Sequence, residues 1–482
     1  MPDFHAACPD YSATSRLDEL RATEYPYLDS GGHTYLDYTG AGLVADAQLR
    51  AHTERLRGGC YGNPHSDNPT SSASTRLIEA ARRAILRYFN ASPDEYAVIF
   101  TQNATGACRL VGEAYRFSRL SRLVLTADNH NSVIGLREFA RARGAATRYI
   151  ELRPGDLRVS DEDVATALGH GVRVRPGNTR RGLFAYPAQS NFSGVQHPLA
   201  WVDRAQAAGY DVLLDAAAFV PANRLDLGAV KPEFVTVSWY KMFGYPTGIG
   251  CLLARQDALA RLRRPWFSGG TIVAASVQGG WHRLADDETA FEDGTLNFLA
   301  IPDITVGLAW ISDIGIDVIN RRVGCLTGWL LDGLTHLKHG NGAPMVRLYG
   351  PAAGPARGGT VAFNFLDAEG VVVDERAVAR DTTAAGISVR TGCFCNPGAG
   401  EWAFGLTRRT VRGTWWRGFL RRDMRTVDDY LDLIGLPSGG AVRASLGLVS
   451  NLSDVERFLD FAEQADRDRA PDRGGLAPRL RC

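Results

Sequence analysis

Between residues 75 and 255 the chain alternates amphipathic helical runs with short apolar runs, and this rhythm constrains its fold more than any other feature. The run STRLIEAARRAILRYF places Ile78, Ala81, Ile85 and Phe89 on one face of a helix. AVIF (97–100) then reads as a short buried strand, and GACRLVGEAYRF (106–117) as a helix. Further strands are expected at LVLT (123–126), GLFAY (182–186), DVLLD (211–215), FVTVS (234–238) and GCLLA (250–254). Apolar runs this short, separated by helices, imply an α/β fold built on a mainly parallel sheet covered on both faces. In such sheets ligands sit beyond the carboxyl ends of the strands, so the residues just after each run carry the interest.

The chemistry after about residue 300 differs. Helical stretches flank GTVAFNF (359–365) and AVRASLG (441–447), and a last helix opens on Ser453-x-x-Glu456, which has the form of a capping box. The expected organisation is an arm (1–34), a large domain (35–300), a smaller α+β domain (301–465) and a charged, disordered tail (466–482).

Charge excludes some partners. The 54 basic and 53 acidic residues give a formal charge of +1, which argues against nucleic acid or an anionic membrane as the main partner. No apolar run approaches the length of a membrane span and no secretion signal opens the chain, so a soluble, cytoplasmic protein is expected. The eight cysteines show no zinc-type spacing, so neither a metal site nor a disulfide framework is expected.

The strand ends hold a suggestive set. AVIFT is followed by Gln102-Asn103-Ala104-Thr105-Gly106 at a helix start, where free N–H groups suit a phosphate. LVLT is followed by Asp128-Asn129-His130-Asn131, GLFAYPAQS by Asn191, and DVLLD ends on Asp215. Each alone is as readily an ordinary cap or hydrogen-bonded group. Together with a lysine they are what pyridoxal 5'-phosphate requires. Only three lysines occur among the 54 basic residues, and only Lys241 follows a strand and precedes a Gly-rich turn. Arginine, charged at any working pH, forms no imine, which explains why this position keeps an amine.

With these residues in place the sequence resembles the class V aminotransferase-fold enzymes of the cysteine desulfurase group, and within them the N-terminal domain of the molybdenum cofactor sulfurases. The matching stretches include YLDYTGAGL (35–43), YGNPHS (61–66), DNHNSVIG (128–135), YPAQSNFSG (186–194), LLDAAAF (213–219), SWYKMFGYPTGIG (238–250), FEDGT (291–295), RTGCFCNPGA (390–399) and VRASLG (442–447). The resemblance implies a fold type I pyridoxal-phosphate enzyme with Lys241 as the Schiff-base lysine, Asp215 on the ring nitrogen and His130 stacked on the ring. It also implies Asn103, Ala104, Thr105 and Ser238 around the phosphate and Asn191 near the ring hydroxyl. Gly294 and Thr295 would reach the phosphate of a second subunit, so a homodimer is implied. Arg443 corresponds to the arginine that takes the substrate carboxylate, Cys395 to the cysteine that attacks sulfur, and Arg390 would lend it positive potential. Ala218 and Tyr240 stand where simpler desulfurases carry Gln and His.

Two reactions follow from this set. Free L-cysteine would give a Cys395 persulfide and alanine, as in desulfurases. A cysteine S-conjugate would instead undergo β-elimination or decarboxylation coupled to deamination, since attack on a thioether sulfur must expel a carbanion. Enzymes similar to this group act on S-conjugates in secondary metabolism, including lincosamide antibiotic pathways. The sulfur-acceptor domain common in the sulfurases has no counterpart in these residues, and the stretch GLTRRTVRGTWWRGFLRRDMR (405–425) suits a wide entrance. S-conjugate processing is therefore the leading expectation and desulfuration the alternative. A catalytically silent scaffold would have no need for Lys241, Asp215, His130 and Arg443 together.

Overall fold

The computed structural model describes residues 3–169, 182–411, 413, 426, 428–429, 431, 438–469, 476 and 479. Seven strands form the large sheet: β1 (Tyr96–Thr101), β2 (Arg122–Thr126), β3 (Ala146–Ile150), β4 (Gly182–Pro187), β5 (Tyr210–Asp215), β6 (Phe234–Ser238) and β7 (Gly250–Arg255). Their order is β1-β7-β6-β5-β4-β2-β3. All neighbours are parallel except β7, which runs against both β6 and β1. Only residues 239–249 join β6 to β7, too few for the crossover a parallel return needs, so the chain doubles back. That return sets Gly250 opposite both Ser238 and Thr101.

The inner strands are buried on both sides, as unbroken apolar runs dictate. Alternate residues separate cleanly: Val212 and Leu214 enter the core on one face, Leu213 the core on the other. Helix α1 (Pro69–Tyr88) buries Ile78, Ala81 and Ile85 as its periodicity requires. Helix α2 (Ala104–Ala114) covers the opposite face and ends at Ala114, short of the expected Phe117. Strand β3 escaped the sequence reading because it is an edge strand, half-exposed, with Thr147 and Arg148 interrupting its apolar run.

The second unit holds an antiparallel sheet of β8 (Val346–Tyr349), β9 (Thr360–Phe365), β10 (Arg390–Gly392) and β11 (Ala441–Ser445), ordered β8-β9-β11-β10. The start of the chain is sewn into it. Thr34–Tyr35 pairs in parallel with Ile387–Ser388, and Asp37 bridges to Ser445. Helix α3 (Pro302–Ile314) packs instead on α1 of the large unit. The last helix, α4 (Leu452–Asp466), opens on a capping box two residues earlier than its sequence suggests. Asn451 accepts from the Asp454 N–H and Asp454 accepts from the Asn451 N–H, while Ser453 merely donates to the Asn451 side chain. Most of the tail and, beyond residue 411, all but a few positions of the arginine-rich stretch lie outside the described residues. Arg479 in the tail pairs with Glu375, Asp374 and Asp428. No helix among the described residues is long and apolar enough to cross a membrane, and no group of metal-ligating side chains is found among them.

Candidate active site

Beyond the carboxyl ends of β1, β4, β5 and β6 lies a cavity of about 270 Å3. Lys241, Asp215, His130, Asn191, Ser238 and the 103–105 turn all face it. The N-terminus of α2 forms one wall. Asn103, fully extended at φ −177° and ψ 178°, caps the helix by accepting from the Gly106 N–H at 2.9 Å. The Ala104 N–H donates to the Ser238 hydroxyl at 3.3 Å, and the Thr105 and Ser132 hydroxyls meet at 2.7 Å. First-turn N–H groups of a helix have no intrahelical acceptor, so hydroxyls and N–H groups converge here on one anion-sized space. Gly250 belongs to the same construction, because a Cβ there would lie 2.6 Å from the Asn103 backbone.

Asp215 ends β5. Its Oδ1 accepts from the Thr236 hydroxyl at 3.1 Å and from the Ala217 N–H at 3.1 Å, while Oδ2 has no hydrogen-bond partner among the described residues. Cys108 of α2 closes the floor beside it, and burial followed by the Asp215 charge pushes that thiol well above its ordinary range. His130 caps the next short helix: its Nδ1 accepts from the Ser132 N–H at 3.1 Å, which leaves the proton on Nε2. Burial, then the charge of Lys241, lowers its pKa against the pull of Asp215, which favours the neutral ring. Lys241 lies in the single turn Trp239–Phe243 after β6. Burial, with Arg443 and Arg390, lowers its pKa from the ordinary 10.5 against the opposing pull of Asp215 and Asp37. Gly244 ends that turn at φ 76°, and a Cβ there would strike the backbone of Leu43 and Val44 at 2.4 Å.

The donor set fits pyridoxal phosphate: an anion cup at a helix N-terminus, a carboxylate with one free oxygen, a neutral aromatic ring and a lysine held toward its free-base form. Tyr240 and Ala218 line the same cavity.

The Cys395 loop docks onto this wall from the second unit. It leaves β10 with Phe394 at φ 54° and Cys395 at φ 52°, two successive non-glycine residues in the left-handed region. Phe394 is buried against Phe192, with ring centroids 5.3 Å apart. The Asn131 N–H, adjacent to His130, donates to the Cys395 carbonyl at 2.7 Å. The Asn191 amide donates to the Phe394 carbonyl at 2.8 Å and accepts from Asn396 at 2.9 Å. Asn396 also donates to the Asp128 carbonyl at 2.7 Å. Asn191 thus faces the cavity while both ends of its amide hold the loop. Cys395 itself is an exposed free thiol, and Cys393 is disulfide-bonded, which its spacing did not foretell.

Arg443 and Arg390 stand behind Lys241 as cross-strand partners on β11 and β10. Burial pulls the Arg443 guanidinium down to about 10, still charged at neutral pH. Both arginines are bonded to Asp37, which sequence reasoning left without a role. Gly294 and Thr295 stand apart from the cavity; Thr295 lines a hollow of about 240 Å3 that shares Gln102 and Gly248 with it. The other participants missed from sequence are Ser132, Cys108 and Asn396. Ser132 and Asn396 lay within the quoted stretches DNHNSVIG and RTGCFCNPGA.

The aminotransferase class-V family profile matches residues 34–458. The chain belongs to this family. Among curated relatives, the molybdenum cofactor sulfurase of Solanum lycopersicum is 35% identical over 494 residues, covering 97% of this chain and 59% of the tomato protein. That of Homo sapiens is 36% identical, covering 92% of this chain and 51% of the human protein, so the chain spans little more than half the length of these relatives. Among solved structures, the cysteine desulfurase from Thermococcus onnurineus NA1 superposes with a TM-score of 0.74 at 23% identity, covering 93% of this chain and 97% of that one. At that identity the likeness shows a common class V fold.

Proposed function

We propose that this class V protein is a pyridoxal-phosphate enzyme that transfers sulfur from L-cysteine onto Cys395. The observation that carries this reading is the Cys395 loop, held in a left-handed conformation and hydrogen-bonded to the segment that presents His130. Backbone strain of this kind persists only where its surroundings enforce it, and it collects at functional sites. The likeness to molybdenum cofactor sulfurases supports sulfur transfer over the S-conjugate reaction.

Lys241 would hold the coenzyme, the α2 N-terminus with Thr105 and Ser238 would take its phosphate, and Asp215 would be the carboxylate for its ring nitrogen. The bound coenzyme supplies an electron sink for the substrate Cα. Arg443 orients the substrate by its carboxylate. Lys241, kept toward its free-base form, is the group able to accept and return a proton at Cα. The Cys395 thiolate attacks the substrate sulfur: an S–S bond forms, the Cβ–S bond breaks, and its electron pair is protonated to give alanine. The persulfide sulfur then passes to an acceptor thiol. In this reading the enzyme is a homodimer. Val273, Val277 and Trp281 of an exposed hairpin, with Trp266 and Phe267, are five of the ten large apolar side chains exposed among the described residues, and Gly269, between Phe267 and the hairpin, accepts from the Gly294 N–H at 2.9 Å.

The test uses the full chain reconstituted with the coenzyme. Near-visible coenzyme absorbance is expected in the wild type and lost in Lys241→Ala. L-cysteine is expected to yield alanine and a persulfide on Cys395, and Cys395→Ala is expected to abolish both. Full turnover of an S-alkyl cysteine by Cys395→Ala, with none of L-cysteine by the wild type, would overturn sulfur transfer in favour of S-conjugate cleavage.

A further inference from the structure

Arg390 and Arg443 are direct partners across β10 and β11, and like charges so placed repel. Asp37 lies between them. Its carboxylate accepts from Arg390 Nε and Nη2 at 3.0 and 2.7 Å and from Arg443 Nη2 at 2.9 Å. The carboxylate is anchored from its own backbone, because the Ser445 N–H donates to the Leu36 carbonyl at 2.7 Å and Asp37 bridges to Ser445. Space is reserved around it: a Cβ on Gly40 would lie 2.5 Å from its Oδ2 and 2.6 Å from Arg390 Nη2.

Arg443 is almost fully buried, yet only part of its fork is used. Nη2 meets Asp37, Nη1 donates to the Asn191 carbonyl at 3.0 Å, and Nε has no partner among the described residues. A guanidinium offers a two-pronged edge through Nε–H and the adjacent Nη2–H. Asp37 holds Nη2 and leaves the buried Nε–H without an acceptor among the described residues, so Nε is the donor left for a ligand. The group has two positive charges and one negative, a net +1 that one carboxylate neutralises.

We propose that Asp37 is the specificity-determining residue of the substrate site: by taking Nη2 it leaves the Nε–H of Arg443 to the substrate carboxylate, and it sets the clamp's charge to accept a monocarboxylate amino acid. This inference rests on the reading that Arg443 takes the substrate carboxylate. Asp37 stays bonded when substrate arrives. A dicarboxylate amino acid meets the Asp37 charge and one cation too few.

The test measures competitive inhibition constants for L-alanine and L-aspartate against L-cysteine, with kcat and KM, in the coenzyme-loaded full chain. Asp37→Asn is expected to weaken L-alanine about tenfold through loss of a charge-assisted contact, while L-aspartate is unchanged or tighter. KM should move more than kcat. Asp37→Glu should keep the wild-type preference, and Asp37→Asn with Arg390→Gln, again net +1, should recover it. Equal weakening of both inhibitors in Asp37→Asn, or no change in either, overturns the inference, as does failure of the charge-matched double variant to recover preference. Arg443→Ala separates the two levels. If it leaves L-alanine binding intact, the carboxylate reading falls and this inference with it; if it weakens L-alanine while Asp37→Asn shifts no preference, the inference alone falls. Persulfide formation on Cys395 is scored apart from these constants.

Discussion

Replacing Asn396 by alanine tests whether the position of Cys395 is enforced rather than incidental. The left-handed conformation costs roughly 1–2 kcal/mol for each non-glycine residue, so Phe394 and Cys395 together store about 2–4 kcal/mol. Asn396, fully buried, opposes that cost three ways. It donates to the Asp128 carbonyl and to Asn191, and its Oδ1 caps helix Pro397–Ala403 by accepting from the Ala399 N–H at 3.1 Å. Two buried hydrogen bonds at about 1 kcal/mol each and a cap of about 1 kcal/mol sum to roughly 3 kcal/mol, comparable with the strain. Without them the loop keeps only the Asn131 and Asn191 bonds to its carbonyls, the Phe394–Phe192 contact and the Cys393 disulfide against its strain, and a population shift of ~1.4–2.8 kcal/mol lowers the competent fraction about 10- to 100-fold. None of the lost bonds touches Lys241, Asp215 or the α2 N-terminus. Asn396→Ala should therefore load coenzyme with an unchanged absorbance spectrum while persulfide formation on Cys395, followed by single-turnover labelling, slows by that factor. A wild-type labelling rate in a folded Asn396→Ala protein would refute the reasoning, and so would coenzyme loss in parallel.

Two further outcomes follow from charges within the fold. Lys241 has its pKa lowered from 10.5, so the coenzyme-loading rate of the apo-protein should rise with pH and level off below 10.5, and Asp215→Asn, which removes the largest opposing charge, should move that midpoint lower still; a plateau at or above 10.5 would contradict the assignment of causes. Arg82 on α1 grips Glu292 at 2.9 and 2.7 Å, both nearly buried, and the same carboxylate accepts from the Phe100 N–H at 2.7 Å. Arg82→Ala should cost about 3–5 kcal/mol in urea unfolding, and Arg82→Met with Glu292→Leu should recover most of it. Burial already pushes the Glu292 pKa up and Arg82 opposes it, so the single variant's deficit should shrink as the pH falls and the carboxyl gains its proton.

Residues that act at the end of their own strand were legible in the sequence. Lys241, Asp215, Asn103 and His130 each follow an apolar run, and the rule that ligands lie beyond parallel strand ends collects them before any coordinates exist. The structure brings all four to one cavity. What stayed hidden acts across distance or against local cues. Strand β3 is too polar for its apolar run to register. The α4 cap fell on Ser453 by pattern, while Asn451 and Asp454 form the reciprocal pair. Asp37 lies 353 residues from Arg390 and 406 from Arg443, and nothing near it in sequence marks it as their common partner.

The same distances explain how the site divides. On the proposed reading the residues that would cradle the coenzyme follow strands of the large sheet, whereas the Cys395 loop and both arginines come from the second sheet, to which Asp37 bridges at Ser445. Lys241 feels both halves, since Asp215 and Asp37 raise its pKa while Arg443 and Arg390 lower it. A change in the second sheet should therefore leave coenzyme affinity largely intact while altering substrate binding, sulfur transfer and the lysine's titration. A change in the cradle removes the coenzyme and silences every later step. If Asp37→Asn released the coenzyme as Lys241→Ala is expected to do, this separation of duties would be false. The arginine pair would then serve the cradle rather than the substrate.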